Sequence, residues 1–127
     1  MGLYLLIGCG GALGAMARHG LAAAISRLIS PGFPFAIMLI NISGSVAMGI
    51  LVGLLGRLGG NWTEEARLFA AVGVLGGYTT FSSFSLDTLT LLERGALAQA
   101  LLYVLLSVAV SLAGLYLGLL VTRGSLT

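Results

Sequence analysis

Four long apolar stretches, near residues 2–26, 34–56, 67–92 and 96–121, constrain this chain more than any motif in it. Each is long enough, at about 1.5 Å per helical residue, to cross a hydrocarbon core of about 30 Å. The 127 residues are 58% hydrophobic and only 8% charged, a balance foreign to a soluble domain. The expected fold is therefore an all-α membrane protein of four transmembrane helices, forming a single domain over residues 1–127. Gly60-Asn61-Trp62-Thr63-Glu64-Glu65 reads as a polar connection in which Thr63 caps the third helix. Ser30-Pro31-Gly32-Phe33-Pro34 reads as a turn, with Pro34 suited to the start of the second helix. Glu93-Arg94-Gly95 predicts a very tight third turn. The first stretch lacks a basic leader, carries Arg18 and His19 late, and is followed by three more apolar segments. It reads as a retained helix and not as a signal peptide. Cys9, the single cysteine, has no partner for an internal disulfide and reads as a small packing residue.

The third stretch should not be continuous. Gly76-Gly77-Tyr78-Thr79-Thr80-Phe81-Ser82-Ser83-Phe84-Ser85 puts two adjacent glycines and a hydroxyl cluster in its middle. Glycines weaken a helix, and hydroxyls compete with its backbone for hydrogen bonds. Irregular backbone at membrane depth survives only where it is buried in protein or lines a wet cavity. The segment predicts a broken helix whose freed carbonyls serve an ion or substrate site. A glycine kink used for packing alone is the blander alternative.

All six basic residues are arginines. With four spans, Arg57, Arg67 and Arg123 fall on one side of the membrane, and Arg18, Arg27 and Arg94 on the other. The positive-inside rule needs a bias, and this chain has none. Insertion in both orientations follows, which permits an antiparallel homodimer about a two-fold axis in the membrane plane. Six charges are few, and a single orientation stays open on this count alone.

Small residues mark the faces that pack. Gly10, Gly14 and Arg18 recur at i+4 in the first stretch, beside Gly11 and Ala15, and Asn41, Ser45, Gly49 and Gly53 do so in the second. Such stripes let helix backbones approach closely in lipid. A transmembrane Asn most often serves as an interhelical hydrogen-bond partner. Tyr103, Ser107 and Ser111 form an i+4 ladder of hydroxyls about 12 Å long, a permeation track beside the break or, blandly, groups bonded back to their own helix. Phe81 and Phe84 are i, i+3 neighbours that suit core packing. Their positive ring edges also suit a partly dehydrated small anion, held weakly enough to leave.

Gly10-Gly11-Ala12-Leu13-Gly14-Ala15-Met16-Ala17-Arg18, Asn41-Ile42-Ser43-Gly44-Ser45 and Gly76-Gly77-Tyr78-Thr79-Thr80-Phe81-Ser82-Ser83-Phe84 resemble the three signature segments of the Fluc fluoride channels, also called CrcB. The resemblance covers essentially the whole chain, and its last segment is the most specific. It implies a dual-topology homodimer of four-helix subunits, with two antiparallel pores that passively export fluoride across a prokaryotic plasma membrane. It implies that Phe81 and Phe84 line the pores, that Asn41 is a pore-lining amide at the subunit interface, and that Tyr103, Ser107 and Ser111 form a polar track joined by Thr80. It further implies a structural sodium ion on the two-fold axis, held by the backbone carbonyls of Gly76 and Thr79 from both subunits. Oxygen-only ligation suits such a hard cation, and its charge would favour anions. Arg18 matches an arginine near the end of the first helix, which attracts anions or anchors packing; the packing role is the expectation. Tyr78 and Ser83 stand where the resemblance implies variation.

Two rival readings remain. A small dual-topology, proton-coupled exporter of organic cations shares the length and span count, but requires a membrane-embedded carboxylate. Only Asp87 lies within a span, and His19, the sole histidine, lies near a helix end. A noncatalytic assembly subunit explains the glycine faces but not the break, aromatic pair and ladder together. No metal-ligand cluster or phosphate-binding loop points to an enzyme, and no organic cofactor is expected. A net charge of +2 is not a nucleic-acid footprint, so the expected partners are a second copy, fluoride and the lipid bilayer.

Overall fold

The computed structural model describes residues 2–29, 32–58 and 63–123, and all regular structure among them is helical. Helix α1 spans Gly2–Leu28 and α2 spans Phe35–Leu58. A third span follows in pieces: α3 (Thr63–Ala66), a π-helical stretch (Arg67–Leu75), α4 (Gly76–Tyr78) and α5 (Phe81–Glu93). Helix α6 closes the chain over Leu97–Arg123. Four helical segments are long and apolar enough to cross a membrane, as expected from the sequence. Helices α1 and α6 each run two residues beyond their expected ends. The Ser30-Pro31 and Gly60–Trp62 parts of the expected connections, and the Thr63 side chain, lie outside the described residues.

Pro34 stands one residue before α2, and its carbonyl accepts from the Met38 amide at 3.4 Å. The third turn is as tight as its sequence implies. The Ala96 amide reaches back to the Leu91 carbonyl at 2.9 Å, and that of Gly95 to Leu92 at 3.0 Å. Gly95 takes φ +78°, the left-handed conformation a glycine adopts without strain. Arg94 Nη2 then donates to the Gly32 carbonyl at 3.0 Å, joining this turn to the α1–α2 connection. At the opposite end of α2, Arg57 Nη1 donates to the Thr122 carbonyl at 2.9 Å. A cation there complements the negative end of the α6 dipole.

Two glycine-lined contacts hold the bundle. Helices α2 and α6 run parallel, with Gly49 and Gly53 set against Gly114 and Gly118. A β-carbon on Gly118 would stand 2.7 Å from the Val46 carbonyl oxygen, and one on Gly49 would strike the Leu115 carbonyl. Helix α1 lies as closely on the π-helical stretch. There a β-carbon on Gly10 would stand 3.0 Å from Gly73 Cα, and one on Gly73 would stand 2.9 Å from the Ile7 carbonyl oxygen. Lipid supplies no hydrophobic drive between helices, so contact of this closeness must come from van der Waals packing. The larger side chains gather near the Gly32–Arg94 end, where Met38, Leu91, Ala100 and Tyr103 are buried beneath Phe33, Ile42, Phe84 and Ala96.

The break occurs within the expected Gly76–Ser85 segment, at its hydroxyls and not at its glycines. Gly76 and Gly77 are helical, and the extended residues are Thr79 (φ −83°, ψ 156°) and Thr80 (φ −151°, ψ 118°). The glycine at 77 serves contact instead, since a β-carbon there would lie 2.5 Å from the Gly11 carbonyl oxygen.

Candidate functional site

The hydroxyls of the break end one helix and begin the next. The amide and Oγ1 of Thr79 both donate to the Leu75 carbonyl at 3.0 Å, which closes the first half. Thr80 Oγ1 accepts from the Ser83 amide at 3.2 Å and so caps α5. Between these caps the backbone needs partners from elsewhere, and two side chains supply them. Asn41 of α2 takes both main-chain groups of Thr80: its Oδ1 accepts from the Thr80 amide at 2.8 Å, and its Nδ2 donates to the Thr80 carbonyl at 3.1 Å. Arg18 Nη1 of α1 donates to the Gly77 carbonyl at 2.9 Å. Ser43 Oγ of α2 lies 2.9 Å from the Tyr78 hydroxyl. Arg18 thus ties α1 to the residue before Tyr78.

Because the Thr80 amide turns to Asn41, the Gly76 carbonyl loses the donor that would continue its helix. Gly76 itself is exposed. The Thr79 carbonyl stands on extended backbone beside it. Uncommitted carbonyls of this kind fit a hard monovalent cation. Among the described residues, no three His, Cys, Asp or Glu side chains gather to hold a metal.

Beside the break lies a cavity of about 390 Å³ whose walls include Asn41, Thr79, Thr80, Phe81, Phe84, Ser107 and Ser111. Seven of the ten residues expected from the sequence therefore meet at one place. Phe81 is 78% exposed, so the cavity is a groove open at the surface of the chain. The two phenylalanine rings lie 5.6 Å apart at its side, tilted by 46°. Ser107 Oγ and Ser111 Oγ are buried in the wall without a hydrogen-bond partner among the described residues. Other hydroxyls of the bundle bond back to their own helix: Ser85 to Phe81, Thr88 to Phe84, Thr90 to Leu86 and Thr122 to Gly118. Buried polar atoms are nearly always satisfied, so these two hydroxyls stand apart from the rest as free to donate.

Three expected residues stand outside the cavity wall. Arg18 bonds the Gly77 carbonyl, and Gly76 is the exposed first residue of α4. Tyr103 leaves the hydroxyl ladder altogether. It is fully buried, its ring lies 5.2 Å from that of Phe84, and its hydroxyl donates to Asp87 Oδ2 at 3.0 Å. Sequence reasoning missed Gly44, Met48, Val108, Leu112 and Leu115, which complete the lining, and gave Ser45 only a packing role. The signal was present in α2, where Asn41, Gly44, Ser45 and Met48 share a face at i, i+3, i+4 and i+7.

Comparison with known proteins reaches nearly end to end. The family described as "CrcB-like protein, Camphor Resistance (CrcB)" matches residues 5–119. The "Fluoride-specific ion channel FluC" of Beijerinckia indica is 54% identical over 120 residues, which cover 94% of each chain. Its namesake from Rhodopseudomonas palustris is 49% identical over 120 residues, covering 94% of this chain and 96% of its own. That of Paracoccus denitrificans is 50% identical over 121 residues, covering 95% of this chain and 94% of its own.

Proposed function

This chain belongs to the CrcB-like family, and from that premise we propose that it is a fluoride channel that lets fluoride leave the cell passively. The observation that carries the reading is the pair of unpartnered hydroxyls, Ser107 and Ser111, in the wall of a cavity that also holds Phe81 and Phe84. Fluoride is small and strongly hydrated, so a pathway must replace its water with donors. Hydroxyls four residues apart on one helix offer donors about 6 Å apart. The positive edges of the phenylalanine rings add weak contacts between a deep site and none, as conduction requires. Asn41 retains one Nδ2 hydrogen beyond its bond to Thr80, a further donor at the same wall.

The working unit we propose is an antiparallel homodimer with two pores. The groove is open along one side, and a second copy would close it into a pathway. A structural sodium ion would be held by the Gly76 and Thr79 carbonyls of both copies, supplying a fixed positive charge near the anion path. The exporter reading has less support: Asp87 carries the Tyr103 hydrogen bond and does not line the cavity.

The decisive experiment is fluoride efflux from liposomes holding the purified protein, with chloride as comparison and no proton gradient. Fast fluoride release with negligible chloride release is expected; no release from a folded dimer would sink the reading. Antiparallel assembly is checked with Cys9→Ser/Leu28→Cys, which keeps the arginine balance and should label from both faces of the membrane. Labelling from one face alone refutes it.

A further inference from the structure

We propose that Tyr78 and Ser43 form a latch that positions the broken backbone, so that Tyr78 acts on transport through Thr79 and Thr80 without touching the ion. The inference rests on the channel reading of the break. Tyr78 is the last residue of α4, immediately before the extended pair. Ser43 Oγ donates its one hydrogen to the Ile40 carbonyl at 3.0 Å, which leaves it an acceptor for the Tyr78 hydroxyl at 2.9 Å. Next to Ser43, Gly44 leaves room for the Tyr78 ring and Thr79 side chain. A β-carbon there would stand 3.1 Å from Tyr78 Cδ2 and would strike Thr79 Cγ2. The ring is therefore seated against α2 along its Cδ2–Cε2 side and tied to α2 at its hydroxyl.

The location matters more than the single bond. Gly77, Tyr78 and Thr80 are each tied to a neighbouring helix, by Arg18, Ser43 and Asn41 respectively. The Thr79 carbonyl shares its peptide plane with the Thr80 amide, so the Asn41 bond fixes its direction while the Tyr78 tie holds the residue before it. Asn41 and Gly44 also line the cavity. The latch thus sets the distance between the α2 wall and the carbonyls of the break. Unlike the other two ties it joins side chain to side chain. It can be removed without orphaning a backbone group, because Ser43 keeps its bond to Ile40 when Tyr78 loses its hydroxyl.

The test compares wild type, Tyr78→Phe, Ser43→Ala and the double variant by two measurements on the purified full-length protein. Amide hydrogen exchange is read at Thr79 and Thr80, whose amides bond Leu75 and Asn41. Fluoride efflux from liposomes is read beside it. Each single variant should speed exchange at these two amides roughly three-fold, the size of an average interhelical hydrogen bond in a membrane, and leave α1 and α6 unchanged. Efflux should fall in parallel, and the double variant should be no worse than either single. Unchanged exchange, or additive effects of the two substitutions, overturns the latch. Faster exchange with wild-type efflux overturns its positioning role. A wild-type protein that passes no fluoride sinks the channel reading itself, while the exchange comparison still decides whether the latch exists.

Discussion

Asn41 and Thr80, 39 residues apart, are paired at two points: the Thr80 amide donates to Oδ1 at 2.8 Å and the Thr80 carbonyl accepts from Nδ2 at 3.1 Å. The asparagine amide acts as a stand-in for a missing helical turn. It also fixes its own orientation, since a backbone N–H can only face the amide oxygen.

Replacing that amide separates its two roles. Asn41→Ala leaves both Thr80 groups unpartnered, with an expected loss of about 1–3 kcal/mol in stability. Asn41→Asp keeps the acceptor for the Thr80 amide but puts a negative charge at the cavity wall. The aspartate variant should be better folded than the alanine one in thermal unfolding, yet no better at fluoride efflux. Recovery of efflux by the aspartate would refute an anion donor at this position.

Ser107 and Ser111 predict the opposite balance. Their hydroxyls are buried without partners, so removing them relieves a desolvation cost. Ser107→Ala/Ser111→Ala should therefore match or exceed wild type in thermal stability while passing fluoride more slowly. A stable variant with wild-type efflux would remove these hydroxyls from the pathway.

The two phenylalanines differ in what they hold together. Phe81 is 78% exposed, whereas the Phe84 ring lies 5.2 Å from that of the buried Tyr103. Phe81→Ile should leave protomer stability unchanged, and Phe84→Ile should lower it by about 1 kcal/mol. Both should slow efflux by roughly tenfold or more, the factor carried by about 1.4 kcal/mol of lost stabilisation. Wild-type flux in either folded variant would sink the aromatic role.

Gly14 gives a test of packing alone. A β-carbon there would strike the Val74 carbonyl and stand 2.8 Å from the Tyr78 amide nitrogen, whereas one on Gly8 meets nothing within 4 Å. Gly14→Ala should destabilise by about 1–3 kcal/mol, whereas Gly8→Ala, in open space within α1, should stabilise by up to about 1 kcal/mol, in thermal unfolding in detergent. Equal behaviour of the two would mean that α1 does not sit this close to the break.

The four spans, their short connections and the existence of an interruption in the third were legible in the sequence, because apolar run length and glycine–hydroxyl clustering are local properties of the chain. So was most of the cavity, since Asn41, Thr80, Phe81, Phe84, Ser107 and Ser111 carry polar or aromatic chemistry that stands out in an apolar background. The position of the break was less legible. Gly76 and Gly77 have the lowest helix propensity in the segment, yet the helix continues through them. Contact with α1 uses Gly77, and the extended backbone falls at Thr79 and Thr80, where the hydroxyls cap both halves.

Tyr103 shows the limit most clearly. By i+4 spacing it belongs with Ser107 and Ser111, but Asp87 and Phe84 take it into the core. Composition and apolar run length, which lie along the chain, were enough to specify a four-helix membrane protein, and three short motif segments carried its resemblance to the CrcB family. The choice of partners for each polar group came from packing. Arg18 with Gly77 and Asn41 with Thr80 are 59 and 39 residues apart, and only the approach of glycine-faced helices brings them within hydrogen-bond reach.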